Sequence, residues 1–389
     1  MKKLIIFCVA SMMFALPFGA IAADKVVTGS KPDISLKLEL ENAIGRGLNW
    51  LASKQQAGGY WSQAEYPAVT ALALTSFQGD PSGFYKTKYE QNIKKGYDYL
   101  VKCAKPDGGI YVKNLSNYNT SISMMALLVA NDAAYEPLLK KGRRFLIGLQ
   151  DDFGAKGMGD DPLDGGIGYG GSYKHSDLAN TSFALEALYY TRYLKSDVAN
   201  DPAAKDLNWK AAIQFISRTQ NLPGYNDQKW ASGDPDNKGG FIYFPGDSKA
   251  KEQKLPDGKV ALRSYGSMSY AGLLSLIYAQ VDKNDPRVKA VIDWLSRNYT
   301  LDENPGMGKE GLFYYYHTMA KSLSAAGVDT LTLKDGSRIN WRKDLALRLL
   351  DLQRENGSWA NTSGRWWEKD PDLVTSYATI TLEIVYRGL

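Results

Sequence analysis

Cysteine and histidine are almost missing: the 389-residue chain has two of each. Cys8 falls in an N-terminal apolar stretch, so a chain that loses that stretch keeps Cys103 alone and forms no internal disulfide. Cys103 sits in the helical setting Tyr99-Leu-Val-Lys-Cys-Ala and is expected to be a buried small hydrophobe, not a nucleophile. Imidazole chemistry has only His175 and His317 to draw on. Charge of one sign is scarce too. The net charge is +5, Lys2 and Lys3 supply part of it, and no basic stripe stands out, so nucleic acid is not an expected partner. Also missing are a G-x-S-x-G elbow, a Walker loop and an H-E-x-x-H pair. Asp234-Pro-Asp236-Asn237-Lys238-Gly239 matches a calcium loop only in part, because Lys238 holds the fifth position and no Glu closes it. No metal or cofactor is expected.

Long apolar runs occur at one place. Lys2-Lys3 precede an apolar stretch from Leu4 to Phe18, and Ala20-Ile-Ala22 is a small-x-small cleavage signal. The stretch is shorter than the roughly 20 residues of a spanning helix. Residues 1–22 are therefore expected to be a signal peptide cut between Ala22 and Ala23. Cys8 lies inside the apolar region, which argues against a lipoprotein anchor. No later segment suits a transmembrane span. Export without disulfides fits a bacterial periplasm or the medium. Residues 23–40 are polar and read as a leader segment.

What the chain has in abundance is aromatic residues, 12% with 25 Tyr and 9 Trp, and a repeat. Six times a leucine- or aromatic-rich helix is followed by a Gly-rich turn with an aromatic, then by a helix of small and apolar residues. The copies run Trp50-Leu…Gly59-Tyr-Trp61, Tyr99-Leu…Gly108-Gly-Ile-Tyr111 and Phe145-Leu…Gly165-Gly-Ile-Gly-Tyr169. Then come Phe215-Ile…Gly239-Gly-Phe-Ile-Tyr243, Trp294-Leu…Gly311-Leu-Phe-Tyr314 and Leu349-Leu…Gly357-Ser-Trp359. Fixed supersecondary repeats define architecture. The first helix of each pair carries more charge and should lie outside; the second is apolar all round and should be buried. A closed double ring of helices satisfies both and needs no capping repeat. Residues 41–389 are thus expected to form one all-α domain. Insertions at 150–176, 221–265 and 327–340 are rich in Gly, Asp, Pro and Lys and read as surface loops, of a length that suggests function.

The units Trp50-Leu-Ala-Ser-Lys-Gln55…Gly59-Tyr-Trp61 and Leu350-Asp-Leu-Gln353…Gly357-Ser-Trp359 resemble the repeats of the prenyltransferase and squalene cyclase (terpenoid cyclase) superfamily. That resemblance spans the mature chain. It implies an α/α toroid of about six two-helix repeats, with the Gln and Trp of each unit tying neighbouring helices together. It also implies a central cavity for an isoprenoid or other apolar small molecule. It does not carry an activity, since function lives in the site. Zinc-dependent prenyltransferases are similar to this chain around Tyr265-Gly-Ser-Met-Ser-Tyr-Ala271, yet their metal positions read Arg263, Tyr265 and Val374 here. These cannot form a zinc site. The D-x-D-D acid of squalene-type cyclases is absent. Chemistry that follows the resemblance would be terpene cyclase- or isomerase-like.

Asp177, in His175-Ser-Asp-Leu-Ala-Asn-Thr181, is the candidate acid at the start of an inner helix, with His175 close enough to set its charge. The competing role is a helix N-cap, for which Asp is a preferred residue. His317 is expected at the same mouth, with both histidines preceding inner helices. Repeats three and five stand apart in a ring of six, so structural hydrogen bonding is expected of them over metal binding. Aromatic faces suit an apolar or cationic guest. Tyr169, Tyr173, Tyr270, Tyr314, Tyr316, Trp366 and Trp367 are the candidate ligand contacts. Two other classes stay open: an exported scaffold that binds a protein or peptide, and a carbohydrate-active toroid with paired carboxylates.

Overall fold

A computed structural model describes residues 33–171, 175–196 and 204–389. Residues 1–32, with the expected signal peptide, and Tyr173 lie outside the described residues. Twelve principal helices form six outer–inner pairs. The outer helices are α1 (Ile34–Lys54), α3 (Glu90–Lys102), α5 (Glu136–Gly148), α7 (Trp209–Arg218), α9 (Pro286–Arg297) and α11 (Trp341–Leu352). The inner helices are α2 (Pro67–Gly79), α4 (Ser116–Val129), α6 (Leu178–Tyr190), α8 (Gly266–Tyr278), α10 (Leu312–Ala325) and α12 (Pro371–Arg387). Helix α1 starts at Ile34, inside the expected leader of residues 23–40, because Asp33 caps it by accepting from the Leu36 N–H at 3.2 Å.

Each inner helix packs on the next, from α2 through α4, α6, α8 and α10 to α12, and α12 returns to α2. The inner ring is closed. Its helices are buried on nearly all sides; every residue of α8 is buried. The outer helices bury one stripe, such as Val288, Val291, Trp294 and Leu295 of α9. This is the α/α toroid that the repeats imply. Two small antiparallel hairpins, Glu252–Lys254 with Val260–Leu262 and Leu331–Thr332 with Arg338–Ile339, decorate the insertions.

Three bonds recur at the turns between outer and inner helices. First, a glycine in left-handed conformation touches the next outer helix. Gly59, Gly108, Gly165, Gly239 and Gly357 have φ between +85° and +98°. A Cβ on them would come within 2.1–2.6 Å of the carbonyl oxygens of Lys95, Lys141, Ala211, Ala290 and Arg46. Only glycine fits both demands. Second, a glutamine amide ties its own turn to that next helix. Gln55 donates to Gly59 O and Asn92 O, Gln150 to Gly165 O and Asn208 O, and Gln220 to Gly239 O and Arg287 O. Gln353 donates to Gly357 O and Ala43 O, both at 2.9 Å. Third, a hydroxyl on the inner helix accepts the backbone N–H of the second residue after that glycine. Thr70 takes Trp61, Thr120 takes Ile110, Thr181 takes Ile167, Ser269 takes Phe241 and Thr375 takes Trp359. Trp61 and Trp359 also donate their indole N–H back to Leu51 O and Leu349 O. The Gly357 and Gln353 contacts to α1 make the last repeat grip the first as any repeat grips its successor.

Candidate functional site

The recurring hydroxyl fixes which inner-helix residues face the axis. Two residues are about 200° of helix, so the residue two before each hydroxyl points the opposite way, inward. Those residues are Ala68, Tyr118, Ala179, Ser267 and Leu373, and all but Ala68 line a cavity of about 440 Å³ at the N-terminal ends of the inner helices. Its wall is chiefly aromatic: Tyr118, Tyr169, Phe183, Tyr243, Tyr265, Tyr314, Tyr377, Trp366 and Trp367 all take part. Leu115, Asn180, Met268 and Glu368 complete it.

The floor is a closed circuit of four rings, one from each of four inner helices. Phe183 of α6 lies 5.3 Å from Tyr118 of α4 and 6.0 Å from Tyr314 of α10. Tyr314 lies 6.2 Å from Tyr377 of α12, whose hydroxyl is 3.3 Å from that of Tyr118. Deeper along the axis, Lys321 of α10 and Glu186 of α6 form an ion pair at 2.5 Å. That pair bridges the ring below the cavity.

Trp366 and Trp367 stand at the mouth, exposed, with φ of +51° and +64°. Such backbone is costly for bulky residues. Their turn is held by its neighbour Glu368, which is buried. The N-cap of α10 is Gly311, which has no side chain to offer, and the Glu368 carboxylate replaces it. It accepts the N–H groups of Tyr314 at 2.7 Å and Phe313 at 3.3 Å, and the Asn361 amide at 2.5 Å. Burial raises its pKa, against these bonds. Tyr66 packs on Trp367 with ring centres 4.2 Å apart.

Asp177 is fully buried and caps α6, accepting from the Asn180 N–H at 2.9 Å and the Asn180 side-chain amide at 2.7 Å. Burial pushes its pKa up to about 6, while the Asn180 bonds and His175 pull against it. It stands one layer behind the cavity, touching it through Asn180 and Tyr243. His175 packs on Phe244 at 4.8 Å and on Tyr243 at 6.4 Å. His317 does not precede its helix as expected from sequence. It lies within α10, buried against Tyr377 at 5.0 Å, and burial holds its pKa well below the usual value, with Lys321 adding to the effect. The structure therefore brings His175 and Asp177 together and leaves His317 on another helix. Among the described residues no three His, Cys, Asp or Glu side chains gather as a metal site requires.

Of the candidate contacts, Tyr169, Tyr314, Trp366 and Trp367 line the cavity. Tyr270 does not: it is buried against Tyr315, rings 5.5 Å apart. Tyr316 turns outward to donate its hydroxyl to Leu301 O. Four aromatics in a row cannot share one helix face, and Tyr314 is the member that points inward. Sequence reading did not select Tyr118, Asn180, Phe183, Tyr265, Glu368 or Tyr377 as contacts; Tyr243, an aromatic near an inner-helix start, is in the wall. Of the positions aligned with a zinc site, Arg263 is exposed, Tyr265 is in the cavity wall and Val374 is buried.

No protein-family model matches this chain, and no curated protein sequence does. Solved structures do. The type II terpene cyclase MstE from Scytonema, without ligand, matches with a TM-score of 0.52 and 12% identity. The alignment covers 90% of this chain and 98% of that one. A variant of the same cyclase, in complex with its substrate geranylgeranyl dihydroxybenzoate, gives 0.51 and 12% over 91% and 98%. At this identity the likeness is one of fold. It shows that the chain has the α/α toroid fold of this terpene cyclase. Among the described residues no helix is long and apolar enough to cross a membrane.

Proposed function

We propose that this chain is a toroid that takes an isoprenoid or other apolar ligand into its aromatic cavity, to bind or transform it. The observation that carries this reading is the wall. Among its described residues it has nine aromatic side chains, no Lys or Arg, and a single carboxylate already occupied in capping α10. A cavity of this size and lining is typical of small-molecule sites. The fold supports the reading, because its neighbour MstE holds a geranylgeranyl compound. The one committed carboxylate disfavours the glycosidase alternative, which needs a free pair. If residues 1–22 direct export as expected, the ligand is met outside the cytoplasm.

The test is native mass spectrometry of the purified full chain, followed by solvent extraction and by incubation with squalene-like and shorter isoprenoids. A bound apolar molecule, or turnover of an added one, is the expected result. No bound lipid, no binding of any added isoprenoid and no turnover would overturn the proposal and leave a scaffold role.

A further inference from the structure

One turn of the chain carries the exposed part of the cavity wall. Among the described lining residues only Trp366 and Trp367 are exposed, at 40% and 43%, and both belong to the strap between Asn361 and Asp370. The two ends of the strap are fixed. Asn361 donates its side-chain amide to Lys309 O at 2.7 Å and its backbone N–H to Glu368 O at 3.2 Å. Asp370 accepts from the Ser62 hydroxyl of the first repeat. The stretch between is held lightly. Among the described residues, 362–367 make no backbone hydrogen bond to another element. The Arg365–Glu310 ion pair near the tip lies on the surface, where such pairs are worth little. Segments with few bonds to the rest of a fold are the first to open.

The turn is strained, and one side chain holds it down. Trp366 and Trp367 both have positive φ, which is unfavourable for bulky residues. The Trp366 ring covers Gly311, where a Cβ would stand 3.0 Å from it, and the Trp367 ring rests on Tyr66. The hold is Glu368. Its Oε1 accepts the Tyr314 N–H, and its Oε2 accepts the Phe313 N–H and the Asn361 amide. Those two backbone groups are the second and third of α10. A helix N-terminus is ordinarily capped from its own segment, as Asp177 caps α6 at the Asn180 N–H. In α10 the cap comes from the strap, 54 residues beyond Tyr314. The turn therefore cannot lift without uncapping the helix.

We propose that the Trp366–Trp367 turn is the gate of the cavity and that Glu368 is its latch. Glu368 lets go of the N-terminus of α10, the strap swings on Asn361 and Asp370, and the two indoles clear the mouth for an apolar ligand. This rests on the cavity being a site for such ligands and adds how they enter and leave. The two positions are close in free energy for a stated reason. Opening relieves two positive-φ residues and gives the freed donors to water. Closing restores charge-assisted hydrogen bonds and returns the Trp367 ring to Tyr66. Once a ligand is inside, the rings gain a third contact, and the closed position is favoured further. Glu368 is a positioning residue here, acting through the turn it holds.

Amide hydrogen exchange of the full chain without ligand tests the latch. The N–H groups of Phe313 and Tyr314 should exchange together with that of Glu368 and faster than that of Asn180, and added farnesol should slow them. Stopped-flow mixing with farnesol, read in tryptophan emission, tests the gate. Glu368→Gln keeps one acceptor oxygen but turns an NH₂ toward donors. It should speed association and dissociation of farnesol together, each about tenfold, with affinity changing less than either rate. Tyr66→Ala frees the Trp367 ring without touching the cap of α10 and should speed both about threefold. A residue that only shapes the wall would change dissociation alone. Exchange at Tyr314 as slow as at Asn180, in the wild type and in Glu368→Gln alike, overturns the latch. Farnesol that binds with both rates unmoved in either variant overturns the gate and leaves the cavity assignment standing. No binding of farnesol removes the cavity assignment and the gate with it.

Discussion

Glu383 of α12 is a carboxyl group without water. It is fully buried, its Oε1 has no partner, and a Cβ on Gly79 would come within 1.8 Å of its Oε2. Burial raises its pKa well above the ordinary value, with Arg387 lowering it in part and Asp80 raising it. In the folded chain it therefore holds a proton that the unfolded chain releases above about pH 4.3. The folded state binds the extra proton, so stability falls as pH rises from there toward the folded pKa. Glu383→Gln should flatten this slope, by up to about 1.4 kcal/mol for each pH unit. Urea midpoints from about pH 5 to about pH 8 check it; a variant that loses stability in parallel with the wild type would refute it. Asp177 differs in kind, because its carboxylate accepts two hydrogen bonds from Asn180 and has the wall of a cavity beside it. Sequence offered two roles for it, acid and cap, and the structure shows the cap, but sequence did not show that Tyr243 of the cavity wall lies beside it. That contact joins residues far apart in the chain, and no local pattern encodes it.

At the scale of the element, the unit is the turn that binds a following helix. Gly239→Ala should cost about 3 kcal/mol or prevent folding, since it combines left-handed backbone with a Cβ 2.2 Å from Ala290 O. Gly258→Ala is the matched control. Its φ of +81° is similar, but a Cβ there meets nothing within 4 Å, so about 1 kcal/mol is expected. Thermal melts of the two variants separate packing from backbone strain; equal losses would show that the contact is unimportant. The turns were legible because the glycine turn with its following aromatic or apolar residue recurs, with Gln four residues before the glycine in the first and last repeats (Gln55–Gly59, Gln353–Gly357). The cavity wall was legible only in part. Its rule is two residues before the Thr or Ser anchor, which would have selected Tyr118 and Leu373 beside the anchors Thr120 and Thr375. The aromatic run 313–316 drew attention by density instead, and density does not give direction, so Tyr316 was included although it faces a packing partner; Tyr270 was included for its place near an inner-helix start, which does not give direction either.

At the scale of the whole molecule, closure makes the ends equivalent to the middle. Gln353 reaches Ala43 as Gln55 reaches Asn92 and Gln220 reaches Arg287. Gln353→Ala should therefore destabilise by about as much as Gln55→Ala, roughly 1–3 kcal/mol for the carbonyls left behind. In an open array the terminal bond would matter much less. Chemical denaturation of both variants decides; a negligible loss for Gln353→Ala would mean that the ring is not closed in solution.

The three recurring bonds spend only glycine, glutamine and a small hydroxyl, and all of them point away from the axis. Inheritance can therefore hold the frame constant while the inward residues and the loops at 150–176 and 221–265 drift. The same architecture is therefore compatible with a sequence only 12% identical to that of the terpene cyclase, because few positions build the frame.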